Sequence, residues 1–222
     1  MQELTLPRKS SRTQVRPLGN SVPASTEAAE PSAPVSRKEQ ILASAAKIFF
    51  SKGYHATTIE DVARDVGMLK GSLYYYIDSK EGLLYELLLG VIEQGDAYIR
   101  TRLLGIDDPV EALRVALRGH IEYIIENQVR VGLFLHEFDT LPGQRQRHIR
   151  EAMQRYQQMF IEIVRRGQAT GKFVSDDAWL LVNGLLGMGN WIYRWYRGNR
   201  LPDRATVQNT FVSLLMNGIL KK

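Results

Sequence analysis

Apolar residues recur at helical spacing along almost the whole chain beyond residue 36. Ile41, Ala45 and Phe49 mark the first apolar face, and Gly53 follows it as a helix terminator. The sequence offers no convincing run of alternating apolar and polar residues of the kind that forms strands. This pattern predicts an all-α protein.

Four stretches rich in glycine, proline and small polar residues interrupt the helical pattern, at residues 105–109, 140–143, 171–175 and 198–202. Three shorter helices precede these breaks, and Ser79 is placed to cap a longer fourth helix that starts at Lys80. The layout predicts an N-terminal three-helix helix-turn-helix domain at residues 37–81. A C-terminal helical domain is predicted at residues 82–222.

The second and third helices of the N-terminal domain are short and joined by a glycine turn. Thr57 and Glu60 have capping-box spacing at the start of the second helix. The third helix is predicted over residues 70–76, with Leu73 and Ile77, four residues apart, facing the core. This arrangement is typical of a helix-turn-helix.

The outward face of the third helix carries two neighbouring tyrosines, Tyr74 and Tyr75, beside Gly71. A tyrosine hydroxyl can bond to a phosphate, its ring can lie against a thymine methyl, and a glycine lets the helix approach the duplex closely. The alternative is that the two rings pack against another part of the protein. The predicted DNA-binding residues are Thr58, Lys70, Gly71, Ser72, Tyr74, Tyr75 and Lys80.

These segments together resemble the signature of TetR-family regulators: TTIEDVA at 57–63, Gly67, KGSLYYYI at 70–77 and SKE at 79–81. The resemblance is close from about residue 36 to residue 98. Leu69 departs from it, because the family often has a small polar capping residue there, and so does Tyr76, where histidine is frequent. The resemblance implies a ligand-responsive transcriptional repressor, not an enzyme, that binds palindromic double-stranded operator DNA as a homodimer.

Residues 1–36 are rich in Pro, Ser, Thr, Ala and Glu, which predicts a disordered tail. Its basic residues Arg8, Lys9, Arg12 and Arg16 allow two interpretations, a solvated tail or an arm that touches phosphates. The formal net charge of +5 fits a nucleic-acid partner without requiring one.

Composition also narrows the chemistry. The chain has no cysteine, which excludes disulfides and thiolate sites, and its four histidines are dispersed, so no metal site and no cofactor are predicted. There is no nucleophile–base constellation, no apolar run long enough to span a bilayer and no secretory leader pattern. We therefore expect a cytoplasmic protein without a membrane partner.

The resemblance implies that the C-terminal domain binds a small hydrophobic effector and forms the dimer. Phe134, Phe138 and Phe160 are candidate pocket walls, with ordinary core packing as the alternative. On the helix predicted over residues 175–197, Gly184 and Gly187 share a stripe with Trp191 and Arg194 and would allow close approach of another helix or a ligand. The resemblance implies that the last two helices of each subunit form the dimer interface.

The aromatic and basic run at 190–197 is similar to the end of this helix in TetR-family members that control fatty-acid and steroid breakdown and respond to acyl-CoA. Arginines suit the phosphates of CoA, and an aromatic ring can stack on its adenine. The predicted ligand-binding residues are Phe134, Phe138, Phe160, Trp191, Arg194, Trp195 and Arg197. A solvated helix end, a sensor of hydrophobic drugs that controls an efflux gene, and an all-α enzyme or ligand carrier with a vestigial helix-turn-helix remain alternatives.

Overall fold

A computed structural model describes residues 36–198 and 202–221. The predicted tail, with Arg8, Lys9, Arg12 and Arg16, lies outside these residues except for Ser36. Within the described ranges the protein is all-α, as predicted, with one isolated antiparallel bridge between Phe173 and Leu220. The side-chain oxygen of Ser36 accepts a hydrogen bond from the Glu39 backbone N–H and thereby caps the first helix.

The N-terminal domain contains three helices: α1 (Arg37–Lys52), α2 (Ile59–Asp65) and α3 (Lys70–Leu73). Gly67, in the turn between α2 and α3, has φ of 64°, a conformation that glycine adopts without strain. The expected glycine turn of the helix-turn-helix is therefore present.

Two details of this domain differ from the sequence prediction. The capping box of α2 is formed by Thr58 and Asp61, because Thr57 is buried and donates its hydroxyl to the Gly53 carbonyl at 2.8 Å. Helix α3 ends at Leu73 instead of residue 76, and the chain continues as tight turns. Leu73 and Ile77 are nevertheless both buried as predicted.

The described residues of the C-terminal domain form seven helices: α4 (Lys80–Leu103), α5 (Pro109–Glu126), α6 (Gln128–Glu137), α7 (Gly143–Ala169), α8 (Ala178–Asn190), α9 (Ile192–Trp195) and α10 (Arg204–Ile219). Ser79 caps α4 as expected, and the four breaks lie where the sequence predicts them. Two interruptions were missed. Asn127 separates α5 from α6, and Trp191 separates α8 from α9 inside the helix predicted over residues 175–197.

Helices α4, α5 and α7 form the centre of this domain, and α8 and α10 cover α5. Fully buried side chains such as Leu88, Leu117 and Phe160 fill the interior. Helix α6 packs on both α4 and α1, so it connects the two domains. This position matters for the site, because α6 also forms part of a cavity wall.

Candidate DNA-binding surface and effector cavity

The surface around α3 exposes large side chains that ordinary folding would bury. Tyr75 is 91% exposed and Tyr74 46% exposed, while Leu73 and Ile77 hold the segment to the core from the other side. The alternative that the two tyrosines pack against the rest of the subunit is therefore wrong for Tyr75 and holds only in part for Tyr74. Leu69, immediately before α3, is 80% exposed.

The other predicted residues of α3 also belong to this surface. Gly71 is exposed, and the space where a side chain would start is empty within 4 Å. Ser72 is half-buried. Lys70 forms an ion pair with Glu60 of α2 and donates a hydrogen bond to its carboxylate, which lowers the pKa of Glu60. Because exposed ion pairs contribute little free energy, a phosphate can compete for Lys70.

Lys80 and Thr58 have partners within the protein. The Lys80 ammonium lies 4.3 Å from the centre of the Tyr54 ring and donates to the His55 carbonyl at 3.3 Å, and burial lowers its pKa. The Thr58 hydroxyl oxygen accepts from the Asp61 backbone N–H at 3.2 Å. Both side chains thus help to order the segment that leads into α2, whose first backbone N–H groups favour a phosphate.

A cavity of about 510 Å³ lies in the C-terminal domain, between α4, α5, α6, α7 and α8. Most of its wall is apolar and is formed by Val91, Ile92, Ile124, Val131, Phe134, Leu135, Phe138, Met153 and Leu186. Polar residues complete it: His120, Tyr123, Asp139, Arg150, Gln154, Tyr156, Gln157, Asn183 and Asn190. A mostly apolar cavity with a few polar groups is typical of a small-molecule site.

The inner polar residues of this cavity are tyrosines and a histidine. His120 Nδ1 lies 2.8 Å from the Tyr156 hydroxyl. Burial lowers the pKa of His120 to about 4, so the ring is neutral at pH 7, and burial raises the pKa of Tyr123 to about 12. The Tyr123 hydroxyl is buried without a hydrogen-bond partner, whereas the His120 ring also has a hydrogen-bonding contact with the Leu186 backbone.

The exposed edge of the cavity is charged. Arg150 of α7 donates a hydrogen bond of 2.8 Å to Asp139, and more than half of each side chain is exposed. Gln154 and Gln157 follow Arg150 along the same face of α7. An arginine therefore lies where a ligand would enter.

The three phenylalanines among the predicted ligand-binding residues lie at or directly behind the cavity wall. Phe134 and Phe138 line the cavity, with ring centres 5.9 Å apart. Phe160 is fully buried behind the wall, where its ring packs against His120 and Tyr156.

Trp191, Arg194, Trp195 and Arg197 do not border the cavity. Arg194 lies on α9, beyond the interruption at Trp191, whereas Asn190 at the end of α8 is the last residue that borders the cavity. Trp195 stacks on Phe211 of α10, and Arg197 donates to the carbonyls of Tyr196 and Arg194. The structure thus does not bring these four side chains to the cavity.

Sequence reasoning missed the polar residues that do line the cavity. His120 and Tyr123 lie three residues apart on α5, among the buried apolar residues Leu117 and Ile124. Polar side chains on an apolar helix face, where burial is costly without a partner, were the available signal. Arg150 had no such signal, because α7 carries many arginines.

Helix α6 links the cavity to the N-terminal domain. It contributes Phe134 and Phe138 to the cavity, and Arg130 on the same helix pairs with Glu39 of α1. Gly132 allows Phe50 of α1 to come so close that an added Cβ would lie 2.5 Å from the ring.

Helix α1 in turn reaches the DNA-binding surface. The Lys38 ammonium donates to the Tyr76 carbonyl at 2.5 Å, just after α3, and to Glu86 of α4 at 2.9 Å. A displacement of α6 by a ligand therefore has a continuous path of contacts to the segment that carries the exposed tyrosines.

Residues 36–198 and 202–221 offer neither a metal site nor a membrane-spanning helix. They include no group of three or more acidic or histidine side chains that could hold a metal ion. None of their helices is both long enough and apolar enough to cross a bilayer.

Comparison with known proteins decides the family. Residues 41–87 match the model described as bacterial regulatory proteins of the tetR family, and residues 107–219 match the tetracyclin repressor-like C-terminal domain. The chain belongs to the TetR family. TetR-family proteins are DNA-binding transcriptional regulators and not enzymes, which excludes an all-α enzyme with a vestigial helix-turn-helix.

Two similar proteins span nearly the whole of both domains. The HTH-type transcriptional repressor KstR2 of Mycobacterium tuberculosis is 29% identical over 189 residues, which cover 84% of this chain and 94% of KstR2. The structure of that protein, which is described as a ketosteroid transcriptional regulator, matches with a TM-score of 0.78. A TetR-family regulator from Thermus thermophilus, PfmR, matches with a TM-score of 0.73 at 32% identity over 80% of this chain and 97% of PfmR.

A third neighbour was solved with its ligands. AibR in complex with isovaleryl coenzyme A and operator DNA matches with a TM-score of 0.76 at 26% identity, over 82% of this chain and 98% of AibR.

Proposed function

We propose that this TetR-family protein is a repressor that binds a palindromic operator as a homodimer and releases it when an acyl-CoA of lipid metabolism enters the cavity. The observation that carries the proposal is the cavity itself, because α6 forms part of its wall and also packs on α1. The structural likeness to AibR with isovaleryl coenzyme A and operator DNA supports the same effector class.

Dimerisation through α8 and α10 is supported by an apolar surface that the subunit leaves uncovered. Along α8, Trp179, Leu180, Met188 and Trp191 are each at least 44% exposed, and Leu214 of α10 is 54% exposed. Gly184 has open space at its Cβ position, so another helix can approach its backbone. Exposed apolar surface of this extent is typical of an interaction site.

A dimer also explains how two short α3 helices bind DNA with useful affinity. Paired recognition helices must enter successive major grooves about 34–36 Å apart, which requires a palindromic site. Tyr74, Tyr75 and Gly71 would face the base edges, and Lys70 would reach a base edge or a phosphate. Thr58 and Lys80 would contact the DNA backbone at the edge of the groove and so position the protein on the duplex.

The cavity suits the acyl part of the effector. About 510 Å³ is ordinary for one small ligand, and Phe134 and Phe138 offer an apolar wall to a hydrocarbon chain. The CoA portion would extend past the exposed edge of the cavity, where Arg150 can exchange Asp139 for a phosphate. Arg150 therefore replaces Arg194 and Arg197 as the arginine that we expect to hold CoA.

The effector must distinguish two arrangements of the N-terminal domains. A ligand that binds both arrangements equally well does not change their proportions. To convert a population that is nearly all able to bind DNA into one that is nearly all unable, the ligand's binding free energies for the two arrangements must differ by about 5.5 kcal/mol. Helix α4 carries Val91 and Ile92 in the cavity wall and begins at Lys80, next to the DNA-binding domain. We propose that α4 swings and α6 moves α1 when the acyl chain displaces their cavity-facing residues.

Calorimetric titration with isovaleryl-CoA and octanoyl-CoA tests this proposal, together with release of an operator fragment recovered by selection from genomic DNA. We expect Arg150→Ala to weaken acyl-CoA binding about tenfold, because a charge-assisted hydrogen bond to a phosphate is lost. Arg194→Ala is the matched control, because Arg194 lies outside the cavity. This variant should bind acyl-CoA as the wild type does.

The two variants also separate the alternatives. Weaker binding by Arg194→Ala with wild-type binding by Arg150→Ala would move the CoA site to the α9 end. Absence of heat and of DNA release with every acyl-CoA would overturn the effector class and favour a sensor of uncharged hydrophobic drugs, for which Arg150 is unnecessary.

A further inference from the structure

We infer that the cavity recognises an acyl group bearing a hydrogen-bonding oxygen, such as a keto or hydroxyl group, and not a plain hydrocarbon chain. The inference rests on the proposed function and specifies its effector class. It is carried by the Tyr123 hydroxyl, a polar group on a residue of the cavity wall that has no partner in the protein.

An unpartnered buried polar atom is costly. Tyr123 is 8% exposed, so bulk water does not compensate its hydroxyl. A wall made for a saturated chain would carry phenylalanine or leucine here, as it does at Phe134 and Leu186. The unpartnered hydroxyl therefore points to a ligand that supplies the missing hydrogen bond.

The chemistry of this hydroxyl indicates an acceptor on the ligand. The Tyr123 phenol stays protonated at neutral pH, because burial raises its pKa to about 12. A buried phenol donor suits a carbonyl or hydroxyl oxygen, which accepts hydrogen bonds.

The geometry around Tyr123 favours a fixed position for its ring. The Cβ position of Gly95 on α4 is 3.3 Å from a Tyr123 ring carbon, and the Tyr98 ring packs beside it with centres 5.9 Å apart. Tyr123→Phe keeps these ring contacts and removes only the oxygen. It is therefore a clean test of the hydroxyl.

The test compares octanoyl-CoA with 3-oxo-, 5-oxo- and 8-hydroxyoctanoyl-CoA, which have the same number of carbon atoms. We expect at least one oxygenated member to bind wild-type protein about tenfold more tightly than octanoyl-CoA. Tyr123→Phe should remove that preference and bind octanoyl-CoA at least as well as the wild type. Its melting temperature in the absence of ligand should not fall, because no protein hydrogen bond is lost.

Other outcomes contradict the inference in distinguishable ways. If octanoyl-CoA binds and releases DNA as well as every oxygenated member, the effector class stands and the polar recognition is wrong. A lower melting temperature for Tyr123→Phe with an unchanged preference would mean that a bound water uses the hydroxyl structurally. If none of the four thioesters binds, the proposed effector class fails and this inference fails with it.

A second, independent observation concerns sequence readout on DNA. Leu69 immediately precedes α3, makes no capping hydrogen bond and is 80% exposed, and Tyr75 on the same surface is 91% exposed. The N-terminal residues of a recognition helix contact base edges, and apolar side chains there contact thymine methyl groups. The structure assigns Leu69 to a thymine methyl in each half-site.

Replacing single thymines of the selected operator by deoxyuridine removes one methyl group at a time. We expect one position per half-site at which the wild type loses about threefold to tenfold in affinity while Leu69→Ala shows no loss. If Leu69→Ala and the wild type respond equally at every position, Leu69 does not contact a thymine methyl. Leu104→Ala, at an equally exposed leucine beyond α4, should behave as the wild type does.

Discussion

Replacing both Tyr74 and Tyr75 by alanine should nearly abolish specific operator binding while leaving the protein folded. Each base contact that is lost costs about 1–3 kcal/mol, and the operator has two half-sites. Because Tyr75 is almost fully exposed and Tyr74 nearly half exposed, their removal takes little packing from the subunit. Fluorescence anisotropy with the selected operator measures the loss, and thermal unfolding verifies the fold.

Leu104→Ala is the matched control, since it removes an exposed apolar side chain outside the DNA-binding domain. It should bind the operator as tightly as the wild type does. If the tyrosine double variant also binds with wild-type affinity, the exposed surface of α3 does not read the operator, and the assignment of this surface is wrong.

The second large effect is expected on the surface of α8. The double variant Leu180→Glu and Gly184→Glu places two carboxylates one turn apart on the face that we propose as the dimer interface. Leu180 is 63% exposed and the Cβ position of Gly184 is open, so the isolated subunit tolerates both changes. In a dimer the four carboxylates would be buried together, which is strongly unfavourable.

We expect this variant to elute as a monomer in size-exclusion chromatography with light scattering. Its operator affinity should fall by a factor of about 10²–10⁴, because the two DNA-binding domains are then no longer linked and each half-site is bound separately. Ala97→Glu, at an exposed position of α4, controls for added charge and should remain dimeric. A variant at Leu180 and Gly184 that is still dimeric would place the interface elsewhere.

Much of the DNA-binding domain was predictable from sequence because its determinants are local. The spacing of Leu73 and Ile77 predicts which face of α3 is buried, and it leaves Tyr74 and Tyr75 outside. Ser79 and Gly67 mark the ends of elements through capping and turn preferences that act within a few residues. The exact capping residue of α2 was not predictable, because Thr57 and Thr58 have the same chemistry and only the burial of Thr57 separates them.

The cavity was only partly predictable, because its wall depends on contacts between five helices. Phe134 and Phe138 could be proposed from their type and spacing, yet Phe160, with the same signal, is fully buried behind His120 and Tyr156. Nothing local to α7 indicates that Arg150, among its many arginines, borders the cavity.

The sequence by itself determined the all-α class, the helix-turn-helix and its exposed tyrosines, because each follows from helical periodicity and from residues a few positions apart. Only the tertiary structure decided which side chains surround the cavity and that Arg194 and Arg197 lie beyond its end. The reason is geometric, because a cavity is a gap between packed helices. Long-range contacts determine the interruption at Trp191 and the packing of α6 on α1. They also determine which residues of each helix lie level with the cavity.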